Sequence, residues 1–149
     1  MLVSKKLSNL IFLGLLAIAI LMTSCRSTQK MVEQGRYDEA VEFATRKLSG
    51  KKRKQLKYVE GLEKAFEKAT RRDMQRIAAL ENRPGSEERI VDVYGQIRKR
   101  QNLVAPLLPL LSKKGYQAHF QFVKVDELEA VAMKKAAEAL YQTARADLE

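Results

Sequence analysis

One thiol and one imidazole are all the chain offers for soft nucleophilic or metal chemistry: Cys25 and His119. A thiol beside an imidazole can be deprotonated and attack a carbonyl, so the pair is the first arrangement to weigh. One Cys cannot close an internal disulfide, and one Cys plus one His cannot fill a structural zinc site. His119 lies in Tyr116-Gln117-Ala118-His119-Phe120 among apolar residues and reads as a surface or half-buried side chain. Asp126, Glu127 and Glu129 open a helix, where the dipole favours carboxylates without any catalytic role. The chain has no glycine-rich phosphate loop, no Ser in a nucleophile elbow and no metal-binding cluster. No catalytic, cofactor-binding or metal-ligating residue is therefore assigned, and the expectation is a protein that is not an enzyme and needs no cofactor.

Charge is the stronger signal. Lys+Arg is 28 against 18 Asp+Glu, a net +10 over 149 residues. Arg46, Lys47, Lys51, Lys52, Arg53, Lys54 and Lys57 place seven cations in twelve residues, with no acid between Glu42 and Glu60. Arg71, Arg72 and Arg76 form a second group, and Arg98, Lys99 and Arg100 a third. Runs of this kind attract polyanions or acidic partners. The alternative is a solvated loop whose lysines keep the protein in solution.

The other chemistry is at the N-terminus. Lys5 and Lys6 precede Leu10 to Met22, thirteen residues without a charge. That run is too short for the roughly 20 helical residues that span a bilayer, and it fits the apolar core of a secretory signal. Leu21-Met22-Thr23-Ser24-Cys25 follows and resembles the lipobox of bacterial lipoproteins. The resemblance implies cleavage before Cys25, a thioether to a diacyl group and a further acyl chain, of the palmitate kind, on the new N-terminus. Two or more chains hold a protein stably on a membrane. Arg26 and Ser27 replace the Asp that retains lipoproteins of enterobacteria in the inner membrane, so the resemblance favours the outer membrane, with the body facing the periplasm. Residues 25–149 would then carry 26 basic and 18 acidic side chains, a net +8. An exported protein meets anionic lipid more readily than nucleic acid, which is not expected as a partner.

The elements that must position these groups read as helices. Met31, Val32, Gly35, Tyr37, Ala40, Val41, Phe43, Ala44 and Leu48 space as two short helices turning at Gly35-Arg36. Gly35-Arg36-Tyr37-Asp38-Glu39-Ala40 resembles a tetratricopeptide repeat, with Gly35, Tyr37, Ala40 and Leu48 in the matching places and Lys47 and Lys52 departing from the pattern. The resemblance covers about twenty residues. Leu56, Val59, Leu62, Phe66, Ala69, Ile77 and Leu80 mark a helix over 51–81, either continuous or broken at Thr70-Arg71-Arg72-Asp73. Asn82-Arg83-Pro84-Gly85 stops it, and Ser86 caps the next helix ahead of Glu87 and Glu88. Pro106 and Pro109 end that one. Pro106 to Leu111 reads as an apolar turn packed on the preceding helices, and Ser112 to Gly115 as a loop. Tyr116 to Val125 is expected to be helical, although Ala118, Phe120 and Phe122 alternate as in a strand. Asp126 to Leu148 is the last helix, and it either caps an array or begins a repeat that continues beyond Glu149.

The expected organisation is a signal over 1–24, a lipidated Cys25 and tether over 25–30, and an all-α, tetratricopeptide-like helical domain over 31–149. The expected function is a lipid-anchored scaffold in an envelope assembly. It would bind an unidentified protein in a groove between helix pairs, with Tyr37, Tyr58 and Tyr94 as candidate contacts. The rival is a protein that binds polyanions or an anionic membrane surface through residues 46–57.

Overall fold

The computed structural model describes residues 27–148. The signal expected over 1–24 and the lipidation expected at Cys25 lie outside them. The described residues fold as five α-helices without a strand, so the chain is all-α. They are α1 (Thr28–Glu33), α2 (Tyr37–Leu48), α3 (Leu56–Glu81), α4 (Glu87–Val104) and α5 (Val125–Ala146), with a short 3-10 turn at Ala105–Leu107. No helix among them is long and apolar enough to cross a membrane.

α1 begins inside the stretch expected to be a tether. Ser27 caps it by accepting the Lys30 N–H at 3.1 Å, which turns Thr28 to Lys30 into the first helical turn. The turn to α2 is made by Gly35, whose φ of +74° suits a residue without a Cβ. α1 and α2 then pack on the N-terminal half of α3. A methyl group added at Gly61 would stand 2.7 Å from Thr28 Cγ2, so α1 reaches α3 only because Gly61 has no side chain.

α3 is one helix of 26 residues, about 39 Å long, with no break at Thr70–Asp73. The polar run there stays helical: Thr70, Arg72 and Asp73 bond to side chains of neighbouring helices, and Arg71 pairs with Glu67 one turn back on α3. Two apolar clusters lie along α3. The first joins Val32, Val41, Ala44, Leu48, Val59, Leu62 and Phe66 to Val104, Leu107, Leu110 and Ala118. The second joins Ile77 and Leu80 to Val93, Tyr94, Ile97, Val125 and Ala132. α4 returns antiparallel to α3 after the Pro84-Gly85 turn and so reaches both. Ser86 stands at the position before α4 but makes no side-chain capping bond.

Tyr116 to Lys124 is extended, not helical as the sequence suggested. It runs back along α3 with a single antiparallel bridge, Leu111 to Gln117. Side chains replace a partner strand. Glu63 accepts the His119 N–H at 2.9 Å. Gln101 accepts the Val123 N–H at 2.8 Å and donates to the Val123 carbonyl at 3.1 Å. Phe120 and Phe122 lie against Phe66 with ring centroids 5.3 and 5.5 Å away. An extended run satisfied in this way has no need of helical hydrogen bonds, and the alternation of Ala118, Phe120 and Phe122 was its signature. In the Pro106–Leu111 turn, Leu107 and Leu110 enter the core, while Leu108 and Leu111 stay 42% and 52% exposed.

Candidate functional site

The candidate cations separate into two sets. Arg46 and Lys47 end α2, Lys51 to Lys54 form the loop, and Lys57 lies in the first turn of α3, so all seven stand at one end of the bundle. Arg46 faces Glu42 at 3.9 Å. Lys47 covers the Phe43 ring and Lys57 the Tyr58 ring, at 5.4 and 5.0 Å. Lys51, Lys52, Arg53 and Lys54 make no ion pair among the described residues.

The sequence could not show that a second loop joins them. The Lys113 N–H donates to the Lys54 carbonyl at 2.8 Å, bringing Ser112 to Lys114 against the 51–55 loop. The second loop is fixed in turn. Ser112 Oγ accepts the Lys114 and Tyr116 N–H groups at 3.3 and 3.0 Å, and the Ser112 N–H donates to the Tyr116 carbonyl at 2.7 Å. Between the loops lies an open cleft of about 580 Å³ lined by Lys52, Arg53, Lys54, Lys113, Leu111, Pro109 and Ser112, with no carboxylate.

Arg71, Arg72 and Arg76 lie farther along α3 and do not extend this surface. Arg71 pairs with Glu67 on its own helix, and Arg76 is exposed. Arg72 belongs to a buried cluster with Arg100, a member of the third basic group, which the sequence suggested could attract polyanions. Arg100 is buried and donates from Nη2 to Asp73 Oδ2 at 2.5 Å and to Asp38 Oδ1 at 2.7 Å, and from Nε to Asp38 Oδ1 at 3.0 Å. Arg72 donates from Nε to Asp73 Oδ1 and from Nη2 to Asp38 Oδ2, both at 2.8 Å. Two guanidinium groups and two carboxylates from α2, α3 and α4 thus neutralise one another between the two apolar clusters. Partial burial pushes the Asp38 carboxyl up, but the hydrogen bonds and charges of Arg72 and Arg100 outweigh it and hold its pKa below the ordinary 3.8. Arg98 is likewise paired, through Nη1 to Glu129 Oε2 at 2.8 Å. Glu129 is therefore a buried tie between α4 and α5 and not one of a group of first-turn carboxylates.

The candidate tyrosines are packing residues. Tyr94 is buried, Tyr58 meets Phe43 at 6.1 Å, and Tyr37 lies beneath Lys68 and Arg72. His119 is exposed at the edge of a groove of about 820 Å³ between α3 and the 116–123 strap. There Glu63 is already engaged by the Tyr116 hydroxyl and the His119 N–H. Among the described residues no three His, Cys, Asp or Glu side chains converge as metal ligands.

No family model, curated protein or solved structure matches the chain. Its surfaces carry the functional reading.

The second unexplained surface is on α5. This helix is antiparallel to α4: Glu129 sits beside Arg98, and Leu128, Val131 and Ala132 line a pocket with Leu80, Ile90 and Tyr94. Its buried face is Val125, Glu129, Ala132 and Ala136. Beyond Ala136 it passes the end of the body. Met133, Ala137, Leu140, Tyr141 and Ala144 form a stripe at i, i+4, i+7, i+8 and i+11, every member exposed, with Leu140 at 56% and Tyr141 at 62%. Lys134, Lys135, Glu138, Gln142 and Arg145 are the long polar side chains on the rest of that half of the helix.

Proposed function

We propose that the chain is a lipid-anchored, periplasm-facing helical scaffold that receives a helix of a protein partner on the exposed stripe of α5. The stripe carries the reading. An apolar row at helical spacing, unburied over three turns, is the half of a helix–helix contact that lacks its other half. The tetratricopeptide-like arrangement is part of the proposal: α1 with α2, α3 with α4, and α5 as the first helix of a pair completed by the partner. The lipobox resemblance supports the anchor at Cys25, and with it residence in the outer membrane. The partner is a protein and not nucleic acid, because the described face is apolar with a mixed-charge border.

A photo-crosslinking residue at Leu140, compared with one at Lys135 on the polar side, tests the reading in the native envelope. A discrete adduct at 140, absent at 135 and abolished by Tyr141→Glu, is the expected result. Equal labelling at both positions, or an adduct that survives Tyr141→Glu, would end it.

A further inference from the structure

We propose that the cleft formed by Lys52, Arg53, Lys54 and Lys113 seats the phosphates of anionic lipids at the bilayer surface, so that the basic end of the bundle lies on the membrane. The proposal rests on the anchored reading for its geometry, and four observations carry it.

The cleft is concave, its lining holds four cations and no carboxylate, and none of the four makes an ion pair among the described residues. Elsewhere Arg71, Arg72, Arg98 and Arg100 have carboxylate partners, while Arg76, Arg83 and Arg89 stand without one among the described residues but are not gathered around a common cleft. Leaving these four together without one creates a local field that a phosphate would neutralise. The two loops are held to each other by the Lys113 to Lys54 backbone bond, so the backbone that carries the cations is brought together before any ligand arrives.

Apolar side chains stand beside the charge. Leu111 and Pro109 line the cleft, and Leu108 and Leu111 are 42% and 52% exposed. A soluble polyanion has no use for them. A bilayer surface presents phosphate above and acyl carbon below, which matches cations flanked by leucines.

Position completes the argument. Thr28 touches α3 at Gly61, five residues, or about 8 Å, from the helix start and twenty residues, or about 30 Å, from its end. Cys25 precedes Ser27 by two residues, at most about 7 Å of chain. A membrane that holds Cys25 is therefore near the basic end and far from the α5 stripe.

The test uses the full chain isolated from native membranes and reconstituted into vesicles, with amine acetylation at each lysine read by mass spectrometry. Labelling of Lys52, Lys54 and Lys113 is expected to slow about fivefold in vesicles containing phosphatidylglycerol relative to pure phosphatidylcholine, the factor that attraction of one cation to an anionic surface supplies. Lys134 and Lys135 on α5 should be unchanged. The protection should vanish at about 1 M salt, where the screening length is about 3 Å. Arg53→Gln with Leu111→Ser, both exposed, should lower protection of the remaining lysines without unfolding the chain. Equal labelling in the two vesicle types overturns the proposal. So does protection by dissolved inorganic phosphate over phosphatidylcholine vesicles, which would make the cleft a free-anion site, or equal protection of Lys134 and Lys135. The intact mass of the same preparation reads the anchor separately. Acyl chains on Cys25 without lysine protection refute only the cleft, and protection on an unacylated chain refutes only the lipid anchor.

Discussion

Replacing Arg100 by Met should destabilise the fold far more than its place in a basic run suggests. Its guanidinium holds Asp38 by two bonds and Asp73 by one, and approaches Thr70 Oγ1 at 3.5 Å. The two carboxylates do not weigh equally. The Asp38 side chain is 50% exposed, so water replaces its lost bonds, and that part of the loss is about 0–1 kcal/mol. The Asp73 side chain is fully buried and retains only Arg72. Losing a charge-assisted bond there costs about 1.5–3 kcal/mol, and breaking a buried pair typically costs about 3–5 kcal/mol. With Arg72 still in place, we expect about 3 kcal/mol. Met keeps the apolar stem, so lost packing contributes little. Urea unfolding of the full chain in non-ionic detergent, followed by far-UV circular dichroism, measures the loss. The double variant Asp73→Leu/Arg100→Met removes both buried charges and should lie within about 1 kcal/mol of the parent. A single variant that loses less than about 1 kcal/mol, or a double variant no more stable than the single, would refute an electrostatic role for the pair.

Three further outcomes follow from other contacts. The lowered pKa of Asp38 means that its contribution is fully present above 3.8 and is lost as the pH falls through the folded value. Thermal midpoints of the parent and of Asp38→Asn should therefore differ at neutral pH and converge in acid, and a constant gap down to about pH 2 would contradict the ion cluster. Gly61→Ala should destabilise by about 1–3 kcal/mol despite better helix propensity, because the new methyl meets Thr28, and Thr28→Ser in the same chain should recover part of it on urea unfolding. Intact mass of the protein from native membranes should correspond to residues 25–149 with acyl chains, whereas an unmodified chain of 149 residues would remove the anchor.

The helices were legible where apolar spacing and stop signals agreed. Gly35-Arg36 divides α1 from α2, Pro84-Gly85 ends α3, Pro106 closes α4, and each boundary is local chemistry. The extended form of the 116–124 strap is hard to read locally because its partners are side chains of Glu63 and Gln101, 56 and 22 residues away in sequence from the backbone groups they serve. Its period-two alternation was the signal available. The fate of each cation was also illegible, for the same reason. Lys99 and Arg100 are neighbours in one run, yet one is exposed and the other is buried on Asp38 and Asp73, far off in sequence. Nothing in Ser112-Lys113-Lys114 says that it completes the 51–54 loop, because a single backbone bond between two loops leaves no pattern.

The buried ion cluster also bears on the proposed division of labour between the two ends. The basic cleft lies beside the loop that leads into α3, whose N-terminal half carries the first apolar cluster, while α5 packs with α4 on the second. Two cores on one helix could bend relative to each other where the apolar packing thins, and that place is occupied by Asp38, Arg72, Asp73 and Arg100. Charge-assisted bonds are directional in a way that apolar contacts are not, so a four-residue cluster from three helices fixes their register as well as their separation. A scaffold resting on a membrane at one end and holding a partner helix at the other needs that register, since a small rotation at the middle of a 26-residue helix displaces its far end by many times more. The Asp73→Leu/Arg100→Met chain separates the two roles of the cluster. If register is its contribution, that chain keeps its stability while the adduct at position 140 becomes diffuse. If only stability is at stake, the adduct is as sharp as in the parent.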